Sequence, residues 1–215
     1  MKLVCISDNH NNYNDFIVPN GDVLIHAGDF SYQGKPGEIV DFMDWLNRQP
    51  HTHKLWIPGN HELSLEDFPY NIETIEKETS SVCLHNKEYT IDGARFFGAA
   101  FTPEFNHWAY NLTDRQSKVF WENAPSTDVL VSHGPPRDVL DTSGYHGRPL
   151  GCKYHFEYLK RTKPKINVFG HIHGSGGLEE KLQWDNGSTT LCANVSVLNE
   201  KYKFENEPTV LDVNI

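Results

Sequence analysis

The sequence predicts an α/β protein built around a largely parallel β-sheet. Short, continuous apolar runs at residues 3–7, 23–25 and 53–57 are typical of strands buried on both faces. Residues 38–47 have apolar side chains at helical spacing and lie between the second and third runs. Each run ends in a loop with carboxylate, amide or imidazole groups, and open α/β sheets bind their ligands at the carboxyl ends of strands.

The first predicted strand, residues 3–7, ends in Asp8-Asn9-His10. Side chains two positions apart on an extended strand point to the same side, so Asp8 and His10 are expected to converge. Aspartate and histidine are both good ligands for a borderline divalent ion. The alternative is that Asp8 caps a turn while His10 lies in solvent, so this triplet alone is weak evidence.

The second and third strands end in the same way. Residues 23–25 run into a loop with Gly28 and Asp29, where the glycine allows a close backbone approach. Residues 53–57 run into a turn with Asn60 and His61. An amide oxygen can ligate a metal, and an imidazole can ligate, carry a proton or only pack. The repetition predicts a β-α-β sheet whose strand ends share one site.

The middle of the chain is predicted to contain short strands and one helix. Residues 82–84, 89–91 and 94–97 are strand candidates separated by turns. The aromatic-rich residues 101–112 are either a hydrophobic patch or a wall for substrate. Thr113 is expected to cap a helix that runs to about residue 123.

Two further strands supply the remaining histidines. A buried strand over residues 128–131 runs into His133, and a strand over residues 166–169 runs into Gly170-His171-Ile172-His173-Gly174. Between them, a long surface loop, a candidate lid over the site, precedes a helix. The loop is predicted over residues 138–149 and the helix over 152–160. A hairpin around 185–188 and strands over 195–198 and 209–213 complete the chain.

Composition and charge exclude several classes of protein. With 215 residues, no linker-like stretch and no internal repeat, the chain is predicted to form one domain over residues 1–215. The formal net charge of −10 is opposite to that of proteins that grip nucleic acid by its phosphates, so no stable nucleic-acid complex is expected. Nucleic acid could still be a substrate at a local positive site. Oligomeric state is left open.

No targeting or membrane segment is evident. The apolar run at residues 2–7 is too short for a signal peptide, and no stretch approaches the ~20 apolar residues of a membrane span. The four cysteines are scattered and form no CxxC pair, so they are expected to be reduced, packed thiols. These observations predict a cytoplasmic protein.

The polar groups at the strand ends form an ordered set. In chain order they are Asp8, His10, Asp29, Asn60, His61, His133, His171 and His173. The order D-x-H, G-D, G-N-H-E, a single histidine and G-H-x-H resembles the calcineurin-like metallophosphoesterases. Within them, residues 26–30, 102–105, 108–111, 132–136 and 168–170 resemble the metallophosphoesterase-domain-containing (brain-expressed type) phosphodiesterases. Some animal members have glycine as the first residue of the H-x-H pair, whereas this chain keeps His171.

The resemblance implies a four-layer α/β/β/α sandwich, two mixed sheets flanked by helices, with two divalent metal ions at the strand ends. It implies that Asp8, His10 and His173 bind the first ion. It also implies that Asn60, His133 and His171 bind the second, that Asp29 bridges both as part of the catalytic apparatus, and that His61 gives a proton to the leaving group.

Elementary chemistry supports this assignment. A carboxylate such as Asp29 can bridge two divalent ions ~3.5–4 Å apart, and metal binding lowers the pKa of water to about 7, giving a hydroxide nucleophile. Only Asp8 and Asp29 carry charge, so the loaded site is near +2 and attracts a phosphate ester despite the acidic chain. Glu62 or a neighbouring acid is expected to hold His61. Nitrogen and oxygen ligands suit Mn²⁺, with Fe or Zn as alternatives.

The expected substrate is a cyclic nucleotide or another small phosphodiester, on the branch resemblance alone. His107 and Trp108 are candidates to stack on a base, together with Tyr110, although a structural aromatic cluster explains them equally well. Arg148 and Lys153 are weaker candidates for phosphate contacts. The alternatives are a phosphomonoesterase or phosphoprotein phosphatase with the same metals, and a metal-binding scaffold without catalysis. The remaining histidines are expected to be surface or packing residues: His51, His53, His85, His146 and His155.

Overall fold

The computed structural model describes residues 1–144 and 147–213, with Tyr70 as backbone only. Its strands are β1 (Lys2–Ile6), β2 (Val23–His26), β3 (His53–Trp56), β4 (Val82–Cys83), β5 (Glu88–Ile91), β6 (Ala94–Ala99), β7 (Thr102–Pro103), β8 (Asn111–Leu112), β9 (Val129–Ser132), β10 (Ile166–Phe169), β11 (Glu179–Gln183), β12 (Thr189–Asn194) and β13 (Thr209–Asp212). The helices are α1 (Pro36–Asn47), α2 (Leu63–Asp67), α3 (Tyr70–Thr79), α4 (Asp114–Asn123) and α5 (Lys153–Thr162), followed by a 3₁₀ turn at His173–Ser175.

The strands form two large mixed sheets and a short two-stranded pair. The first sheet has the order β13-β1-β2-β3-β4, parallel except for β13. The second has the order β11-β12-β10-β9-β6-β5, with antiparallel pairs only at its two edges. Strands β7 and β8 pair in parallel beside the second sheet's carboxyl edge. In both large sheets, therefore, the central parallel strands deliver their following loops to one edge.

The two sheets pack face to face, and helices cover their outer faces. The inner core joins side chains of both sheets, such as Ile25 and Leu55 with Val131 and Val168. Outside the first sheet, Phe42 of α1 packs on its strands. Outside the second sheet lies a cluster that includes Trp121 of α4 and Leu159 of α5. This is the predicted four-layer α/β/β/α sandwich, held by apolar burial on both faces of each sheet.

Most predicted elements are confirmed within one or two residues at each end. The helix expected over residues 38–47 begins at Pro36, and Thr113 caps α4 with Gln116 at the third helical position. The hairpin around 185–188 joins β11 and β12. The described residues of the 138–149 loop form turns and one bridge, Thr142 to Pro149. Most of them are exposed or half-buried, as predicted for a surface loop, but Val139 and Asp141 are buried.

The strand predicted over residues 195–198 is wrong. That segment makes two isolated bridges, Ser196 with Ser7 and Leu198 with Phe204. Its first amide, that of Val195, donates to Phe169 of the second sheet, whereas that of Val197 donates to Ser7 of the first. Because the segment crosses from one sheet to the other, it cannot extend a ladder in either.

The sequence pattern also missed two helices and a strand pair. Helices α2 and α3 follow the Asn60-His61 turn, and β7 and β8 lie inside the aromatic stretch 101–112. The four cysteines are buried free thiols, as expected. Across residues 1–144 and 147–213, no helix combines the length and apolar character needed to cross a bilayer.

Candidate metal centre

Five loops bring the predicted polar residues together at the carboxyl ends of parallel strands. Strand β1 leads to Asp8 and His10, β2 to Asp29, β3 to Asn60 and His61, β9 to His133, and β10 to His171 and His173. The strands come from both sheets, so the site lies at the shared edge of the sandwich. Most of these side chains are buried among protein atoms.

The first ligand group consists of Asp8, His10 and His173, whose ligand atoms all lie within 4.8 Å of one another. His173 Nε2 is 3.5 Å from Asp8 Oδ1 and 3.3 Å from His10 Nε2. The predicted convergence is confirmed, but its stated reason is wrong. Asp8 and His10 have φ angles of 55° and 41°, so a left-handed turn after β1, and not an extended strand, brings them together.

The second ligand group consists of Asp29, His133 and His171, which also lie within 4.8 Å of one another. Asn60 belongs beside it, since its Oδ1 is 2.9 Å from His133 Nε2. Asp29 lies between the two groups. Its Oδ1 is 3.3 Å from His133 Nε2, and its Oδ2 is 3.9 Å from His10 Nε2. One carboxylate therefore presents an oxygen to each group.

Backbone carbonyls set the orientation of four imidazoles in the site. The Nδ1 atoms lie 2.8–3.1 Å from carbonyl oxygens, in the pairs His10–Ser31, His61–Tyr32, His133–Ala27 and His173–Asn199. A carbonyl oxygen only accepts, so Nδ1 carries the hydrogen in each ring. In the neutral imidazole the lone pair is then on Nε2, the atom that faces the centre of the site.

This arrangement fits a bound cation. With both Nδ1 atoms protonated, the Nε2 lone pairs of His10 and His173 face each other at 3.3 Å. At His133, the oxygens of Asn60 and Asp29 both lie near Nε2, at 2.9 and 3.3 Å, so either a proton on that nitrogen or a metal ion has to supply the positive charge between them. Two acceptors at such distances repel unless a positive charge lies between them, and nitrogen and oxygen donors of this type suit divalent transition metals. The residues present therefore fit metal binding on their own chemistry.

The electrostatics of the site agree with that interpretation. Burial opposes ionisation of Asp29, yet His133 and His61 hold the pKa of its carboxyl well below its usual range. Burial lowers the pKa of His10 to about 4, which keeps that ring neutral. For His133, burial is outweighed by Asp29 and Asp8, which raise its pKa to about 9. Protonated His133 thus supplies, without metal, the positive charge that the carboxylates attract.

His61 lies at the edge of this cluster, next to Asp29. Its Nε2 is 3.9 Å from Asp29 Oδ2, and its backbone N–H donates to Asp29 Oδ1 at 2.9 Å. Trp108 stacks on the imidazole with ring centroids 4.3 Å apart. The ring is therefore fixed by Tyr32 O and Trp108, with Nε2 directed at the site.

Of the two acids expected to hold His61, Glu62 is wrong, whereas a neighbouring acid, Asp29, accepts from the His61 backbone N–H. The Glu62 side chain is fully buried and turns toward the backbone of two loops. It accepts hydrogen bonds from the N–H groups of Asp29, Ser31 and Gly59 at 3.0, 3.0 and 2.6 Å. Burial and the nearby Asp29 raise the pKa of Glu62 to about 7. Glu62 therefore shapes the loops that carry Asp29 and Asn60.

Two glycines allow the loops to pack this closely. A Cβ at Gly170 would overlap Asp8 Oδ2 and Ser7 Oγ, and a Cβ at Gly59 would overlap Asp29 Oδ1. Both positions lie directly before a group of the site in the chain, and no side chain fits there. The glycines of the G-H-x-H and G-N-H motifs are thus required by contact with the carboxylates.

Sequence reasoning missed two residues that hold the ligand loops. Ser196 Oγ donates to Asp8 Oδ2 at 2.9 Å. His26 accepts from the Gly28 N–H at Nδ1, so its Nε2 hydrogen is donated to Asn9 Oδ1 at 2.8 Å. The spacing within a motif gives no signal for Ser196, since it is far away in the chain. His26 lies two positions before Gly28 of the G-D pair, and this proximity was the only sequence signal for its role.

The residues predicted to contact substrate lie in different environments. His107 is exposed, and Trp108 is half-buried against His61. Tyr110 is 5% exposed and packs against His85, so it belongs to the core. Lys153 pairs with Asp114 on the surface, with Nζ 3.0 Å from Oδ1.

Arg148 lines a cavity next to His171 and His173. Among the other histidines, His51, His85 and His155 make packing or backbone contacts, and His53 is half-buried. His146 lies outside the described residues.

Comparison with known proteins agrees with this arrangement. The profile of the calcineurin-like phosphoesterase family matches residues 1–175. Metallophosphoesterase domain-containing protein 1 of Homo sapiens is 34% identical over 236 residues, which cover 99% of this chain and 71% of the human protein. A UPF0046 protein of Caenorhabditis elegans is 34% identical over 223 residues, covering 98% of this chain and 74% of its own length.

A solved structure shares the fold. The protein TT1561 of Thermus thermophilus superimposes with a TM-score of 0.59 at 13% identity, over 95% of this chain and 96% of that one. At such low identity, this similarity concerns the arrangement of sheets and helices alone.

Proposed function

The chain belongs to the calcineurin-like phosphoesterase family, and from this premise we propose that it is a di-metal phosphodiesterase acting on cyclic nucleotides or other small phosphodiesters. The family is metal-dependent and hydrolyses phosphate esters, and this chain has the aspartate and histidine groups that can bind metal. The finer assignments are our proposal: two ions, manganese as the metal, and a diester as the substrate.

The position of Asp29 carries the proposal. Its two carboxylate oxygens face different ligand groups, and His61 Nε2 is 3.9 Å from one of them. We assign the first ion to Asp8, His10 and His173, and the second to Asn60, His133 and His171, with Asp29 shared. Bound divalent ions supply Lewis-acid activation of water and of the phosphoryl oxygens.

The protein residues then have distinct tasks. Asp8 and Asp29 are the only charged members of the two groups, so the loaded site keeps a net charge of about +2 and attracts a monoanionic diester. His61 presents Nε2 toward the reacting centre because its Nδ1 hydrogen is donated to Tyr32 O. In that orientation, a proton on Nε2 can pass to the departing alkoxide.

A phosphomonoesterase with the same metals is the alternative. Enzymes that bind the dianion of a monoester tend to place arginines over the phosphate. The motif segments 8–10, 28–29, 59–62, 132–136 and 170–174 contain no arginine, and Arg137, in the loop after His133, donates to the Pro149 carbonyl. Arg148 comes from the 138–149 loop and faces the neighbouring cavity. The site thus has few fixed cations for a second negative charge, which favours the diester.

Comparing two aryl phosphates tests the proposal. Purified protein loaded with Mn²⁺ is expected to hydrolyse bis(4-nitrophenyl) phosphate faster than 4-nitrophenyl phosphate, followed by release of 4-nitrophenolate. A panel of 2′,3′- and 3′,5′-cyclic nucleotides then defines the diester. Faster hydrolysis of the monoester would replace our assignment with the phosphatase. No hydrolysis of either, with metal bound, would indicate a scaffold without catalysis.

A further inference from the structure

A cavity of about 530 Å³ opens against His171 and His173, within the size range of small-molecule sites. Its other principal walls are Phe105, Arg148, Glu200 and Tyr202. It adjoins both ligand groups, since His171 belongs to one and His173 to the other. A substrate whose phosphate lies at those groups has a substituent within reach of this cavity.

Which substituent enters the cavity follows from the position of His61. The leaving oxygen has to approach His61 Nε2 to receive its proton, and attack on phosphorus is in line with the leaving group. His61 lies beside Asp29, His10 and Trp108, and it is absent from the described walls of the cavity. In an acyclic diester the leaving group therefore departs on the His61 side, away from this cavity. In a cyclic diester only the leaving oxygen lies on that side, because it stays attached to the retained group.

We propose that the cavity binds the ester substituent that stays on phosphorus, and that it selects an aromatic or heteroaromatic group without negative charge. The inference rests on the proposed phosphodiesterase function and adds the chemistry of the retained group. It is based on two features of the cavity: two aromatic side chains line it, and its walls have more carboxylates than cations.

The aromatic walls stand directly beside the ligand histidines. The ring of Phe105 is 5.4 Å from that of His171, and the ring of Tyr202 is 5.1 Å from that of His173. Tyr202 is 42% exposed, which is unusual for a large side chain that contacts a buried site. Its ring also lies 4.9 Å from that of His10, so two histidines of the first ligand group contact it. Exposed, positioned rings of this kind stack on flat ligands.

The charged walls disfavour an anionic group. Glu104 and Glu200 face the cavity with Arg148 as the one cation among its described walls. Glu200 is held in place, because its Oε1 accepts from Ser143 Oγ at 2.9 Å and from the Gly144 N–H at 2.8 Å. Away from the metal-binding histidines, a second phosphate or a carboxylate on the retained substituent would meet a net negative wall, whereas amino and hydroxyl donors would find acceptors.

Diesters that share one leaving group test this directly. Methyl, phenyl and 3-carboxyphenyl esters of 4-nitrophenyl phosphate all release 4-nitrophenolate, so only the retained group differs. With Mn²⁺-loaded protein we expect kcat/KM for the phenyl ester to exceed that for the methyl ester by about tenfold or more. For the 3-carboxyphenyl ester, kcat/KM should be close to that for the methyl ester. Equal values for all three would overturn the inference, while no hydrolysis of any would overturn the proposed function instead.

Binding gives a readout independent of turnover. Methyl(phenyl)phosphinate and dimethylphosphinate are monoanions with no ester to cleave, and calorimetry on the Mn²⁺-loaded protein should show tighter binding of the phenyl compound. Tyr202→Ala and Phe105→Leu should each reduce that preference, whereas Phe68→Leu, a half-exposed phenylalanine outside the cavity walls, should keep it. Equal dissociation constants for the two phosphinates in the unmodified protein would contradict the proposal, whatever the variants do.

Discussion

Single atoms decide how closely the metal-binding loops approach one another. The His171 N–H donates to both oxygens of Asp8, at 2.9 Å to Oδ2 and 3.1 Å to Oδ1. Ser196 Oγ also donates to Oδ2 at 2.9 Å, and Oδ1 lies 3.5 Å from His173 Nε2. The same Oδ2 overlaps the position that a Cβ would take at Gly170. A single added methyl group there has to displace the carboxylate that the first ligand group depends on.

We therefore expect Gly170→Ala to weaken metal binding at the first site by at least about tenfold, because contacts this close cannot relax without moving Asp8. Titration calorimetry with Mn²⁺ measures the effect. The matched control is Gly37→Ala in α1, where a Cβ meets no atom within 4 Å and alanine favours the helix. Unchanged Mn²⁺ affinity in the folded Gly170→Ala variant would contradict the proposed ligand group.

Substitution of His61 should reduce catalysis without loss of bound metal. The His61 Nε2 atom faces Asp29, and His61 forms a third possible ligand group with His10 and Asp29, but the two groups assigned to the metals are complete without it. His61→Ala is expected to lower kcat for a diester by about a hundredfold to ten-thousandfold, since general acid catalysis is lost, while both metals remain bound. Metal content and kcat measured on the same preparation give the answer. Wild-type turnover in the variant would remove His61 from the mechanism.

At the scale of elements, one buried carboxylate joins two loops. Glu62 precedes α2, and its oxygens accept three backbone N–H groups and the Ser31 hydroxyl, from the loops after β2 and β3. These loops carry Asp29 and Asn60. The relative position of the two loops therefore depends on the Glu62 carboxylate, a side-chain acceptor, and not on a backbone carbonyl of either loop.

Glu62→Gln should destabilise the protein by about 2–4 kcal/mol, because an amide NH₂ would face N–H donors in the place of an acceptor. Urea unfolding measures this. Glu122→Gln serves as the control, since the Glu122 side chain is 61% exposed on α4 and should change stability by less than about 0.5 kcal/mol. Equal losses in the two variants would show that Glu62 has no special role in joining the loops.

At the scale of the whole molecule, the sandwich buries many neutral histidines. His155 is 1% exposed, stacks on Trp121 at 4.3 Å, and has Nε2 3.2 Å from Asn167 Nδ2. Burial lowers its pKa to about 3, and burial also lowers the pKa of His85 to about 4. Below pH 6.5 the two histidines of the unfolded chain bind protons, whereas in the folded protein both rings stay neutral until the pH approaches these lowered values.

Stability should therefore fall as pH decreases from about 6.5 toward 3. In that window the unfolded state takes up a proton at His155 that the folded state excludes, at up to about 1.4 kcal/mol per pH unit. His155→Gln and His155→Phe should both flatten the dependence of unfolding free energy on pH between 4 and 6, although their stabilities at pH 7 can differ. All three proteins are compared without metal. If unfolding free energy changed with pH equally in both variants and in the wild type, His155 would not be a source of the acid sensitivity.

The sequence by itself determined the strands, the loops that end them and the polar residues in those loops. Apolar runs, helical spacing and turn residues are local properties, so β1, β2, β3, β9 and β10 could be placed without any knowledge of their neighbours. The order of the motifs was informative for the same reason, since each motif is contained in a single loop.

Only the tertiary structure decided how those loops meet. Ser196 contacts Asp8 across 188 positions of sequence, Glu62 turns away from His61 toward a neighbouring loop, and residues 195–198 leave one sheet for the other. The carbonyls that fix the imidazole tautomers and the aromatic walls of the cavity likewise come from separate segments. Such contacts depend on the packing of two sheets against each other, and no periodicity within a single segment encodes the geometry of its distant partners.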